Sequence, residues 1–294
     1  MSETKYEVSE EKTSEKFMTN ADNQSIFCRY WGDDAGITKP SALVFIAHGA
    51  AEHCLWYGEL AAQLIQKNLY VFAHDHIGHG QSEGARVHID DFDYYVRDVF
   101  QHIEDVQKKF DADIPCFIIG HSMGGAISIM AAMKRPTFFK GVVLIAPAII
   151  PSPDAVSPLK LTVCSLLAWM WPSITLAWID ITLISRSTQL VQKYSDDPLV
   201  HHGGLKAKWG LCMIHTLKYI EDHLTDITWP FLNLHGEEDK IVDVQGSREM
   251  DEKAQSKDKT LKIYPEHYHQ LHNEPGSDGA KVREDIINWI TERL

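Results

Sequence analysis

The chain has 294 residues, and 28 Lys+Arg against 41 Asp+Glu give a formal charge of −13. Hydrophobic residues make up 44%, which supplies a core and excludes disorder as the main state. The acidic balance excludes nucleic acid as the expected partner and excludes capture by anionic lipid through a basic patch.

In chain order, residues 1–16 are polar and mixed in charge, with no apolar stretch of the kind a signal peptide needs. Residues 1–20 are therefore expected to be a mobile leader. Residues 25–31 suggest an early strand. Residues 42–47 (ALVFIA) and 69–73 (LYVFA) are continuous apolar runs, which indicate buried strands. Helical spacing covers 55–67 and 92–110. Strands at 116–119 and 142–145 flank a helix over 122–134. Residues 150–227 are rich in Leu, Trp, Ser and Thr and carry weak strand signals. The earlier rhythm resumes with a strand at 231–234, a helix at 246–254, a strand at 260–264 and a helix at 281–294.

This alternation predicts an α/β fold, with a mostly parallel sheet and helices on both faces. Residues 21–149 and 228–294 then form the core. Residues 150–227 form an inserted helical cap or lid over the carboxyl ends of the strands, where such sheets bind ligands. Residues 161–179 carry no charge and approach the length of a membrane span. Pro172 at the centre, four Ser and Thr residues and the following Asp180 argue for a cap segment instead. Cys28, Cys54, Cys116, Cys164 and Cys212 include no C-x-x-C pair. Free thiols in a reducing compartment are expected, and hence a cytoplasmic location.

The chemistry centres on Gly120-His121-Ser122-Met123-Gly124, a G-x-S-x-G between an apolar strand and a helix. That setting makes a nucleophile elbow, in which small glycines permit the sharp turn that exposes a serine hydroxyl. Serine needs a base and an orienting acid, which in this architecture follow in the order acid, then His. Asp239, after the strand at 231–235, is the favoured acid, with Glu237, Glu238 and Asp243 as alternatives. The loop after residue 264 offers His267, His269 and His272 as bases, and spacing alone ranks His269 first by little. His48-Gly49-Ala50 ends the strand at 42–47. The backbone N–H groups of Ala50 and Met123 are assigned to the oxyanion hole, and the His48 side chain to bonding the loop backbone.

Together these residues resemble α/β-hydrolases of the serine hydrolase type. A wider set resembles the monoglyceride lipase family: HGAAEH at 48–53, FAHDHIGHGQSEG at 72–84, GHSMGGAI at 120–127, YSDDPL at 194–199, KTLKIY at 259–264 and YHQLHNE at 268–274. The likeness covers about residues 21–290. It implies the triad Ser122, Asp239 and His269, with His269 chosen by its place in Y-H-x-x-H-x-E. It also implies that Glu52, His272 and Tyr194 bind substrate, the first two holding glycerol hydroxyls. The chain departs from the family at Ala51, where a Gly is usual, and at Trp56, where a basic residue is usual. An alanine at a positive φ would be strained. The usual Cys pair after DPL is also missing, and His201, His202 and Lys208 stand nearby.

The expected activity is hydrolysis of monoacylglycerols to glycerol and a fatty acid through an acyl-enzyme. The alternative is a lysophospholipase, or a broader carboxylesterase or acyltransferase, with the same triad. No cofactor and no metal are implied, and His74, His76 and His79 are expected to satisfy loop backbone. The cluster Trp169, Trp171 and Trp178 fits either cap packing or contact with acyl chains and the membrane interface. The resulting picture is a cytoplasmic enzyme that touches membrane transiently through an apolar cap. It also leaves a homodimer open.

Overall fold

Runs of β-branched and aromatic residues that are apolar on both faces must be covered on both sides, and they build the centre of the sheet. The computed structural model describes residues 15–152 and 157–294. Its strands are β1 (Glu15–Thr19), β2 (Ser25–Tyr30), β3 (Ala42–Ala47), β4 (Leu69–His74), β5 (Cys116–His121), β6 (Gly141–Ile145), β7 (Thr175–Ala177), β8 (Leu205–Lys206), β9 (Phe231–Gly236) and β10 (Lys259–Tyr264). Its helices are α1 (Trp31–Asp34), α2 (Gly58–Ile65), α3 (Asp93–Gln107), α4 (Met123–Lys134), α5 (Pro158–Met170), α6 (Thr188–Asp196), α7 (Ala207–Asp222), α8 (Gln245–Lys253) and α9 (Asp278–Thr291). The main sheet runs β1-β2-β4-β3-β5-β6-β9-β10, and β7 pairs with β8 apart from it. The β1–β2 and β2–β4 pairs are antiparallel, and the other pairs of the main sheet are parallel. This is the expected α/β-hydrolase architecture, and β3 to β6 and β9 are buried along their whole length.

Register gathers the chemistry at one edge. Ala47 lies beside Gly120, His121 beside Ile145, and Ile145 beside Leu234. The loops that leave β3, β5 and β9 therefore open side by side. Between β6 and β9 the chain leaves the main sheet to form α5, α6, α7 and the small β7–β8 pair.

The structure differs from the sequence expectation at the start of the chain. Residues 15–19, placed above in the leader, form β1 and pair in register with β2 from Glu15–Arg29 to Thr19–Ser25. The strand is an edge that buries little: Phe17, 5.6 Å ring to ring from Phe27, stays exposed, and Met18 is the residue that packs against the core. Residues 1–14 lie outside the described residues. The uncharged stretch 161–179 is broken as Pro172 requires. Helix α5 stops at Met170, and the chain extends into β7 at Thr175. Among the described residues no helix is long and apolar enough to cross a membrane.

Candidate active site

Ser122 stands between β5 and α4 with φ 54° and ψ −117°, a strained conformation for a residue with a Cβ. Its N–H donates to the Ile145 carbonyl (3.1 Å), which pins the turn to β6. The flanking glycines are needed for close approach. A Cβ on Gly120 would fall on the Gly124 carbonyl, and one on Gly124 would fall on the Ala47 carbonyl. The hydroxyl-bearing residue is thus held at the start of a helix, where N–H groups have no intrahelical partner.

Asp239 follows β9. Its Oδ1 accepts from the N–H groups of Ile241 (2.8 Å) and Val242 (3.0 Å), and its Oδ2 lies 2.7 Å from His269 Nδ1 and 3.3 Å from His235 Nε2. Burial alone would raise its pKa, but the neighbouring His269 and His235 hold the carboxyl well below the usual carboxylate range. The other carboxylates in this loop do different work. Glu237 pairs with Arg248 and Glu238 with Lys240 at the exposed surface, while Asp243 accepts from the Gln245 N–H. His269 is buried, and burial lowers its pKa while Asp239 opposes that shift. His267 turns instead to the Pro265 carbonyl (2.7 Å). His272 stacks on Tyr57 at 4.9 Å, and burial pushes its pKa down to about 3.

Ser122 and His269 line one narrow cavity of about 30 Å³ together with Gly49, Ala50, Glu52, His121, Tyr194 and Gln270. Among the described residues neither the Ala50 nor the Met123 N–H has a backbone partner outside the helices and strands, and Met123 opens α4, where an N–H has no intrahelical acceptor. Both amides are therefore available to an oxyanion. Neither His272 nor Tyr57 is part of the cavity wall, and the His272 ring lies 5.4 Å from that of the wall residue His121. Tyr194 is part of the wall, with Trp56 5.4 Å behind it and the Lys193 ammonium 4.8 Å over the Trp56 ring. Trp56 is not in the wall of this cavity and lines a separate one with His53, Lys193 and Asp197.

Glu52 is only 2% exposed. Its Oε1 accepts from the Gly49 N–H (2.7 Å) and the Tyr57 hydroxyl and lies 3.1 Å from His121 Nδ1, and its Oε2 accepts from Gln270 Nε2 (3.0 Å). These contacts, His121 and Tyr57 foremost, keep it ionised against the opposing effect of burial. Each partner but Tyr57 sits next in sequence to a candidate site residue: Gly49 before Ala50, His121 before Ser122, and Gln270 after His269. His235, Tyr57 and Gln270 were not singled out in the sequence. The one available signal was adjacency, since Gln270 directly follows the Y-H pair.

Ala51 adopts φ 64°, the left-handed region expected to strain an alanine at this position. The segment between β6 and β9 holds that turn from outside. The His201 N–H donates to the Ala51 carbonyl (2.8 Å), and His53 Nε2 contacts Asp197 Oδ2 (2.9 Å). A second clasp joins Arg186 to Glu274 (2.6 Å) and to Asp278 (2.5 Å), on the chain just beyond His269.

His102 on α3, His74 at the end of β4 and His76 after it hydrogen-bond to one another, while His79 Nδ1 donates to the Ile77 carbonyl (3.1 Å). His102 contacts the Tyr30 hydroxyl (3.0 Å) and His74 (3.2 Å), and His74 contacts His76 (3.1 Å). The His76 N–H donates to His48 Nε2 (2.9 Å), so His48 Nδ1 carries the proton given to the Gly49 carbonyl (2.7 Å). Among the described residues no group of three or more His, Cys, Asp or Glu is arranged to hold a metal ion.

Known proteins share both the sequence and this architecture. The hydrolase family model described as "Serine aminopeptidase, S33" matches residues 38–276. Monoglyceride lipase of Mus musculus is 43% identical over 94% of this chain and 90% of its own. The crystal structure of Paleococcus ferrophilus monoacylglycerol lipase superposes with a TM-score of 0.80 at 28% identity, covering 92% of this chain and 99% of that one. A soluble variant of monoglyceride lipase from Saccharomyces cerevisiae shares the fold, with a TM-score of 0.84 at 21% identity over 100% and 99% of the two chains. Sequence and fold thus agree along nearly the full length, and the chain belongs to the monoglyceride lipase family of α/β-hydrolases.

Proposed function

We propose that the chain is a serine ester hydrolase that splits monoacylglycerols into glycerol and a free fatty acid. The contact that carries this reading is His269 Nδ1 on Asp239 Oδ2 at 2.7 Å, with His269 in the wall of the same cavity as Ser122. Asp239 keeps the Nδ1 proton in place, so Nε2 is free to take the Ser122 proton as the hydroxyl attacks the ester carbonyl. The Ala50 and Met123 N–H groups receive the charge that develops on the carbonyl oxygen. His269 then gives the proton to the departing glycerol oxygen, leaving an acyl-enzyme. Water, deprotonated by His269, attacks that ester, and the fatty acid leaves as Ser122 regains its proton. Glu52, Tyr194 and His272 form the alcohol side of this reading: Glu52 and Tyr194 line the cavity, and His272 stands 5.4 Å ring to ring from His121 in its wall. Release of fatty acid from 1- and 2-monoacylglycerols, compared with lysophosphatidylcholine, tests the substrate class. Faster turnover of the lysophospholipid would overturn it.

In the same reading, residues 150–227 are a cap on the core of residues 21–149 and 228–294, and the cap meets membrane. Trp169, Trp171 and Trp178 are 80%, 57% and 68% exposed, and Leu159, Leu166 and Ile174 are exposed nearby. So much large apolar surface in one segment suits an interface where amphipathic tryptophan is favoured. The charge of −13 makes attraction to anionic lipid unfavourable. The enzyme is then cytoplasmic, and its membrane contact is peripheral and apolar. Trp169→Ser with Trp171→Ser is expected to weaken sedimentation with neutral phosphatidylcholine vesicles about a hundredfold or more, since each of the two buried indoles contributes roughly 1.5–3 kcal/mol. High salt is expected to leave wild-type binding unchanged, and a steep salt dependence would contradict the apolar contact.

A further inference from the structure

Gln270 is fully buried, and the Gln270 N–H donates to the Ile184 carbonyl (2.7 Å), which fixes its backbone to the segment between β6 and β9. Its amide orientation is set at both ends. Nε2 donates to Glu52 Oε2 (3.0 Å), and Oε1 accepts from Asn273 Nδ2 (3.3 Å). Rotating the amide by half a turn would set two oxygens against each other and two nitrogens against each other. An amide nitrogen carries two hydrogens, and Glu52 takes one of them. A carboxylate oxygen accepts more than one hydrogen bond, and Oε2 carries only this contact among the described residues. Both groups line the cavity that holds Ser122 and His269. The remaining wall is largely apolar, with Ile179, Ile184 and Ile241.

We propose that Gln270 is a specificity-determining residue for the leaving alcohol. Its second amide hydrogen and Glu52 Oε2 form an adjacent donor and acceptor that take two neighbouring hydroxyls of a polyol. One hydroxyl accepts from Gln270 Nε2 while the next donates to Glu52. A simple alcohol with one carbon and no further hydroxyl would leave that pair unanswered in a narrow cavity, which is how a polar site rejects an analogue. This inference rests on the monoacylglycerol reading above and adds which side chain reads the glycerol.

The test compares kcat/KM for 1-oleoylglycerol and methyl oleate in the wild type, Gln270→Leu and Gln270→Met. Rates are expressed per site titrated with a fluorophosphonate, so that unfolded enzyme is not counted, and Met serves where Leu folds poorly. The ratio of glycerol ester to methyl ester is expected to fall about tenfold in both variants, the loss typical of one hydrogen bond in a substrate site. Damage to the triad or to the acyl side lowers both substrates together and leaves the ratio alone. An unchanged ratio overturns the assignment of Gln270. A wild type that cleaves no monoacylglycerol overturns the proposed function instead, so the two failures are distinct.

Discussion

Ser122→Ala is expected to lower kcat on monoacylglycerol by about a million-fold and to abolish labelling by a fluorophosphonate. The magnitude follows from what is lost. Without the hydroxyl there is no acyl-enzyme, and only binding and the Ala50 and Met123 amides remain to assist direct attack by water. The fold should survive, because the elbow depends on Gly120, Gly124 and the Ser122 N–H to Ile145, none of which uses the hydroxyl. Alanine meets the same positive φ as the serine it replaces, so the backbone cost is unchanged. Initial rates with circular dichroism as a folding control measure the effect. Residual turnover near one per cent, or persistent labelling elsewhere in the chain, would remove Ser122 from its role.

Asp239→Asn is expected to cost about ten-thousand-fold in kcat, because an amide in this place favours the wrong tautomer of His269. It separates Asp239 from its acidic neighbours, since Glu237→Gln and Glu238→Gln alter only surface ion pairs and should leave the rate nearly untouched. The pH profile supplies an independent reading. Burial lowers the pKa of His269 and the Asp239 charge raises it, with a net value below the ordinary imidazole figure. The acid limb of kcat/KM in the wild type should therefore lie below about pH 6.5, where His269 takes up a proton and ceases to act as a base. Removing the Asp239 charge removes the opposing influence, so the limb should move further toward acid. A shift toward alkaline pH would show that another group orients the base.

The sheet centre was legible in the sequence because strands covered on both faces leave continuous apolar runs, as in 42–47 and 69–73. The elbow was legible because close approach at Gly120 and Gly124 admits nothing larger. Spacing left the choice among His267, His269 and His272 open and only the family resemblance picked His269, because all three share one loop and its path decides which ring meets Asp239. Strand β1 was hidden for a different reason: an edge strand whose two apolar residues are adjacent, Phe17 exposed and Met18 half-buried, carries almost no alternation. The Glu52–Gln270 contact was beyond reach altogether. It joins residues 218 apart in sequence, and nothing local to either position encodes the meeting.

The buried imidazoles of His48, His74, His76, His79 and His102 give the fold an acid limit. Burial holds His48, His74 and His76 well below the ordinary imidazole range, His79 at about 4 and His102 at about 3. An unfolded chain protonates the same rings near pH 6.5. Their full contribution to stability is thus present above that pH. It drains away as acidity rises through the unfolded value, at about 1.4 kcal/mol per pH unit for each ring, until the folded pKa is reached. Urea midpoints should be level around pH 8 and drop steeply by about pH 5.5, and a flat profile would contradict this. Proton uptake by His48 would break the bond that its Nε2 accepts from the His76 N–H, beside the segment that carries the Ala50 amide. An enzyme whose product is a fatty acid would then work against its own waste proton wherever buffering is poor.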